Sequence, residues 1–138
     1  MVIANGREPE VIIRLVSGEA VGTFFQPTTS RLESRKRWLL SKITRGKLFI
    51  DSGASMAVQR QNKSLLAAGI TEADGEFERG EVVNIFNDES KRKIACGISN
   101  YSSDDIAIIK GAHSDEIMGL LGYEYGTEVV HRDNLVLL

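Results

Sequence analysis

The 138 residues are 42% apolar and 26% charged, with a formal net charge of −2, the balance of a soluble globular protein of one domain, or of one domain with part of another. No apolar run approaches the roughly 20 residues of a membrane helix, and Met1 to Ala4 lack the charged lead and length of an export signal, so no membrane contact is expected. The lone Cys96 excludes an internal disulfide, which makes a reducing, cytoplasmic address the expectation.

In chain order, Val2-Ile3-Ala4 reads as a buried strand ended by the Asn5-Gly6 turn. Pro9 suits the first turn of a helix, with Glu8 and Glu10 where the helix dipole favours acids. Val11, Ile12, Leu15 and Val16 form its apolar stripe, and Ser17-Gly18 stops it. Val21 to Phe25 reads as a second strand. One strand–helix–strand unit cannot bury both faces of its strands. Residues 1–27 are therefore expected to be the tail of a larger α/β domain, the alternative being padding for the β-rich stretch downstream. The orphan strands invite pairing between copies.

Residues 31–47 carry seven bases against one acid, net +6, whereas residues 48–138 carry eight bases against fifteen acids, net −7. The basic stretch reads as a linker helix from Ser30, pinned to the downstream domain by Trp38. From Gly46 onward, short β-rich runs punctuated by glycine suggest a small barrel or sandwich. Gly46 to Ile50 opens it, and Ala54 to Gln61 is a short helix. Ser64 to Leu66 makes one more helical turn, and Gly69-Ile70 returns the chain to the barrel. Val82–Phe86 and Lys93–Ile98 form a hairpin around Asn87 to Ser90. Ser102 or Ser103 caps a helix that turns Ile106 and Ile109 inward, and Gly111 ends it. Ser114 caps another that buries Ile117, Leu120 and Leu121 before Gly122, and Leu135 to Leu138 is a closing strand.

Several motifs invite chemistry. Gly75 to Gly80 has the glycine spacing of a phosphate loop, but Glu81 stands where lysine is required, so it reads as a turn. His131-Arg132-Asp133 matches a protein-kinase tripeptide but lacks the asparagine and second aspartate of that loop, leaving Asp133 to cap or pair. Cys96, His113 and His131 have no zinc spacing, and Cys96 among Ile94, Ala95 and Ile98 reads as a small buried hydrophobe. Arg35-Lys36-Arg37-Trp38 sets cations beside a stacking ring and is the best nucleic-acid signal, against a solvated helix face with Trp38 inward.

Laid end to end, these residues resemble the C-terminal third of the bacterial glutamate 5-kinases. The carriers include Ile3-Ala4-Asn5-Gly6, Val21-Gly22-Thr23-Phe24-Phe25, Arg35-Lys36-Arg37-Trp38 and Ile50-Asp51-Ser52-Gly53-Ala54. Others are Phe77-Glu78-Arg79-Gly80-Glu81, Ser114-Asp115-Glu116-Ile117, Leu121-Gly122-Tyr123 and Val130-His131-Arg132-Asp133-Asn134. The resemblance implies a mainly β, α+β fold. Residues 45–138 would be a PUA-like β-barrel, named for pseudouridine synthases and archaeosine transglycosylases. Residues 28–44 would be a basic linker, and residues 1–27 the strand–helix–strand remnant of an amino-acid-kinase domain.

It also implies a parent that phosphorylates glutamate with ATP and magnesium at the first step of proline biosynthesis, under feedback by proline. Such chemistry needs a phosphate cradle. The resemblance implies that this cradle sits in the kinase domain, upstream of Met1, and no G-x-G occurs in this stretch, so it is expected to hold no catalytic residue, cofactor or metal and to be inactive alone. Its expected partners are its own kinase domain and further copies in a homo-oligomer. Two roles stay open. One is a regulatory and assembly module; the other is RNA binding, with Arg60, Lys63, Ser64, Leu65 and Gly69 in the groove that PUA domains use.

Overall fold

Strand β1 (Val2–Ile3) pairs antiparallel with β2 (Thr23–Phe24), setting Val2 opposite Phe24. Between them lies α1 (Val11–Val16). The computed structural model describes residues 1–26 and 31–138, the side chains of residues 31, 32, 35 and 36 excepted. The chain divides into two units, Met1–Arg31 and Leu32–Leu138. In the first, α1 begins two residues later than Pro9 suggests, because Glu10 takes a left-handed conformation at φ 56° and no side chain caps the helix. Arg14 closes the helix end by binding Glu19 at 2.6 Å and Glu8 at 3.3 Å. Of the expected stripe Val11 is buried, while Ile12 and Val16 lie open to solvent.

The second unit is built on a mixed sheet of five strands. These are β3 (Gly46–Ile50), β4 (Ile70–Asp74), β5 (Val82–Asn87), β6 (Lys93–Ile98) and β7 (Leu135–Leu137), in spatial order β4-β3-β5-β6-β7. Only β3 and β5 run parallel; the other neighbours are antiparallel. Strand alternation sends Leu48, Ile50, Val83, Ile85 and Ala95 to one face. There they meet Val58 of α3 (Ser52–Gln61), Ile106 and Ile109 of α4 (Ser103–Ile109) and Ile117 of α5 (Ile117–Leu121). The β5–β6 hairpin forms where alternation and turn residues place it, with the Asn87 side chain accepting from Ser90 N at 2.8 Å.

Three expectations are corrected. The helix α2 (Arg31–Leu40) is held not by Trp38, which is 48% exposed, but by Leu39, which is 1% exposed among Val82, Cys96 and Val136 on the sheet's other face. Ser64 to Leu66 is not helical: Leu65 bridges Val130, donating to its carbonyl at 2.8 Å and accepting from Val129 N at 2.8 Å. Those cross-chain bonds satisfy the backbone before a helical turn can, and the turn slips to Ala67–Gly69. Leu120 is exposed rather than buried, because a five-residue helix presents only Ile117 and part of Leu121 to the core.

Candidate functional site

A groove of about 470 Å³ opens where α3 leaves the sheet and the chain returns to it. Its shape follows from local sequence. Asp51 ends β3 in an extended conformation, and its carboxylate accepts from Ala54 N at 2.7 Å, starting α3 there. Asn62, at φ 52°, ends the helix, and Lys63 N donates to Ala57 O at 3.1 Å, which swings Lys63 and Ser64 back along the helix. Asp51 N then donates to Gly69 O at 3.0 Å, closing the loop. Gly69 makes this possible, because a Cβ there would overlap the Ala54 side chain. The walls are mainly small and apolar: Gly53, Ala54, Ala57, Leu66, Ala68 and Gly69, with Asp51 and Lys63 as the charged members.

Lys63, Ser64, Leu65 and Gly69 of the expected set do line this groove, whereas Arg60, in the last turn of α3, does not. Ser64 is partly engaged, its hydroxyl accepting from Arg132 N at 3.1 Å. Leu65 is fully buried, so its side chain serves the core and it offers a ligand no side-chain surface. Missed in the sequence were Asp51, Gly53, Ala54, Ala57, Leu66 and Ala68. Leu66 is the informative omission, an exposed leucine on the groove wall. Small apolar residues carry no chemical signal, and only the Gly69–Ala54 approach makes them a surface.

The remaining motifs resolve into structural roles. Gly75 and Gly80 both sit at φ 91° as turn residues between β4 and β5. An acidic hollow of about 500 Å³ beside them is lined by Glu76, Glu78, Glu81, Asp104 and Asp105. Part of its charge is engaged, since Glu81 accepts from Glu78 N at 3.0 Å and Asp105 from Ser102 N at 3.2 Å. Among the described residues no group of three or more His, Cys, Asp or Glu could hold a metal ion. Asp105 also accepts from the Tyr123 hydroxyl at 2.6 Å, and that bond, before desolvation and the carboxylate's charge, pushes the phenol up to about 12. His131 to Asn134 form a short turn in which His131 Nδ1 accepts from Asp133 N at 3.2 Å. Cys96 is 2% exposed, and burial raises its thiol. No helix among the described residues is long and apolar enough to cross a membrane.

The comparisons place this architecture. The PUA domain family profile matches residues 46–121. A glutamate 5-kinase of Herpetosiphon aurantiacus is 47% identical over 137 residues, covering 99% of this chain and 37% of the relative. One from Photobacterium profundum is 51% identical over 139 residues, covering 100% of this chain and 36% of the relative. The chain thus spans little more than a third of the length of these relatives. A crystal structure of a PUA domain from Aeropyrum pernix superposes with a TM-score of 0.47 at 21% identity, covering 63% of this chain and 41% of that one.

Proposed function

The chain belongs to the PUA domain family, and on that premise we propose that it is the PUA-bearing part of a glutamate 5-kinase. The observation that carries this is similarity along the chain: 47% and 51% identity to two such enzymes, covering 99% and 100% of it. On this reading the whole protein moves a phosphoryl group from ATP, with magnesium, to the side-chain carboxylate of glutamate. Residues 1–27 close its amino-acid-kinase domain, residues 28–44 connect, and residues 45–138 are the PUA domain. Phosphoryl transfer rests on positioned cations and a phosphate cradle, and the residues that supply them belong to the rest of the protein. The test is ATP-dependent glutamyl phosphate formation, trapped as the hydroxamate. We expect turnover from the whole protein; none would overturn the reading, and so would turnover from these 138 residues alone.

Within that protein the PUA domain is a regulatory and assembly module. Support comes from its groove, whose walls are largely apolar, and from the net −7 of residues 48–138, which repels a polyanion. Removing residues 47–138 from the whole protein should alter its glutamate dependence or its response to proline. Unchanged kinetics and inhibition would sink this role. The second reading, RNA in the groove, is favoured by Lys63 and Ser64 at its edge. Salt-sensitive binding of a mixed tRNA pool, lost in Lys63→Glu, would establish it.

A further inference from the structure

The chain's only tryptophan stands on the other side of the second unit from its core, and its environment is unlike that of a packed ring. Trp38 is nearly half exposed although the next residue, Leu39, is almost wholly buried. An indole left in water forgoes a large apolar burial, so the fold spends its anchor on Leu39 and turns the ring outward. Lys42 Nζ lies 4.7 Å from the ring centroid, a cation poised over its face. Ile43, 83% exposed, stands beside it, and Arg45 and Arg37 are also open to solvent.

These groups are mounted on a fixed frame. Arg45 N donates to Val82 O at 3.0 Å, Asn84 Nδ2 to Thr44 Oγ1 at 2.9 Å, and the Ser41 hydroxyl to Trp38 O at 2.8 Å. Trp38, Lys42, Ile43 and Arg45 thereby share one groove of about 490 Å³ against Gly80 to Val82. Among the described residues Glu81 is the single acid on its wall, held 3.6 Å from Arg45. The sequence around it has the chain's one strong positive excess, the +6 of residues 31–47.

We propose that this groove binds single-stranded RNA, one unpaired base stacking on Trp38 while Lys42 and Arg45 hold the flanking phosphates. A flat ring for stacking beside cations in a groove is what sequence-tolerant binding of a strand uses. A duplex offers no free base face to the ring. The site is separate from the Lys63 groove, stands on different residues and survives if that groove binds nothing.

Trp38 is its own probe. Titrating the intact chain with oligoadenylate should quench tryptophan emission, because stacking acts on the only indole present. With two cations engaged, the logarithm of the affinity should fall with the logarithm of salt at a slope of about −1.4. Trp38→Ala should lower affinity about tenfold or more, and Trp38→Phe should keep most of it. Trp38 is exposed, so both variants should keep the wild-type circular dichroism. Lys63→Glu should leave the quench intact, which separates this site from the other groove. An absent quench at low salt would overturn the proposal, as would full affinity in Trp38→Ala. Emission that shifts blue with protein concentration alone would assign the groove to a second copy of the chain, and equally overturn it.

Discussion

Gly69 decides whether the groove beside α3 exists. Its missing side chain lets the chain return against Ala54 while Asp51 N reaches Gly69 O. Gly69→Ala drives a methyl into that contact and should cost about 1–3 kcal/mol, the usual range for overpacking. Urea denaturation would measure it, and an unchanged midpoint would mean that α3 can shift freely. Tyr123 makes a second residue-scale case. Its phenol is held up to about 12, chiefly by the hydrogen bond to Asp105. A raised value favours the neutral form, so this contact is fully present below the ordinary phenol range near 10 and is lost as pH rises through about 12. Absorbance titration of the phenolates should show a late component with that midpoint, absent in Tyr123→Phe. If the variant titrates like the wild type, the hydrogen bond is not formed in solution.

Among the described side chains of α2, Leu39 is the one buried against the sheet, set over Val82, Cys96 and Val136, and the rest are exposed. Leu39→Ala leaves a void costing on the order of 2 kcal/mol. The loss falls on a local opening rather than on the whole sheet. Cys96 reports that opening, because Leu39 covers it and it is the chain's only thiol. Labelling of Cys96 by a thiol reagent should quicken about tenfold or more while the thermal midpoint of the sheet barely moves. If labelling and global unfolding change together, α2 is an integral part of the sheet's fold.

The same element shows where sequence reading stops. Ring size favours Trp38 over Leu39 as an anchor, and only the tertiary contact with Val82, Cys96 and Val136 selects the leucine. Strand β4 escaped for a different reason. Thr71, Glu72 and Asp74 give no apolar alternation, since an edge strand is buried on little more than Ile70. By contrast the cap of α4, legible as Ser102 or Ser103 and found at Ser102 in a capping box with Asp105, and the left-handed Gly122 behind α5 are local devices. For the candidate site, Lys63 and Ser64 were accessible to a reading by resemblance. The apolar wall of Leu66 and Ala57 emerges only from a tertiary contact.

At the scale of the whole molecule, the two units differ in what they can sustain alone. The second has a continuous core running from Leu48 to Leu135 under five paired strands. Among its described residues the first has two strands of two residues and one six-residue helix. A helix that short is marginal in water, and a two-stranded sheet rarely persists by itself. Its apolar groups are also turned out: Ile12, Ile13, Val16 and Phe24 are all exposed. Such a patch marks a surface that expects cover, which fits a chain that spans little more than a third of its relatives. Hydrogen exchange on the intact chain should therefore be two-tiered. Amides of residues 1–26 should exchange almost as fast as in an unfolded peptide, whereas those of β3, β5 and β6 should open only with global unfolding. A chain beginning at Leu32 should keep the denaturation midpoint of the second unit and associate less, having lost the exposed patch. Amides in residues 1–26 protected as strongly as those of β5 would show instead that the first unit is stable without the rest of an α/β domain, and the proposal that it closes such a domain would fall with that result.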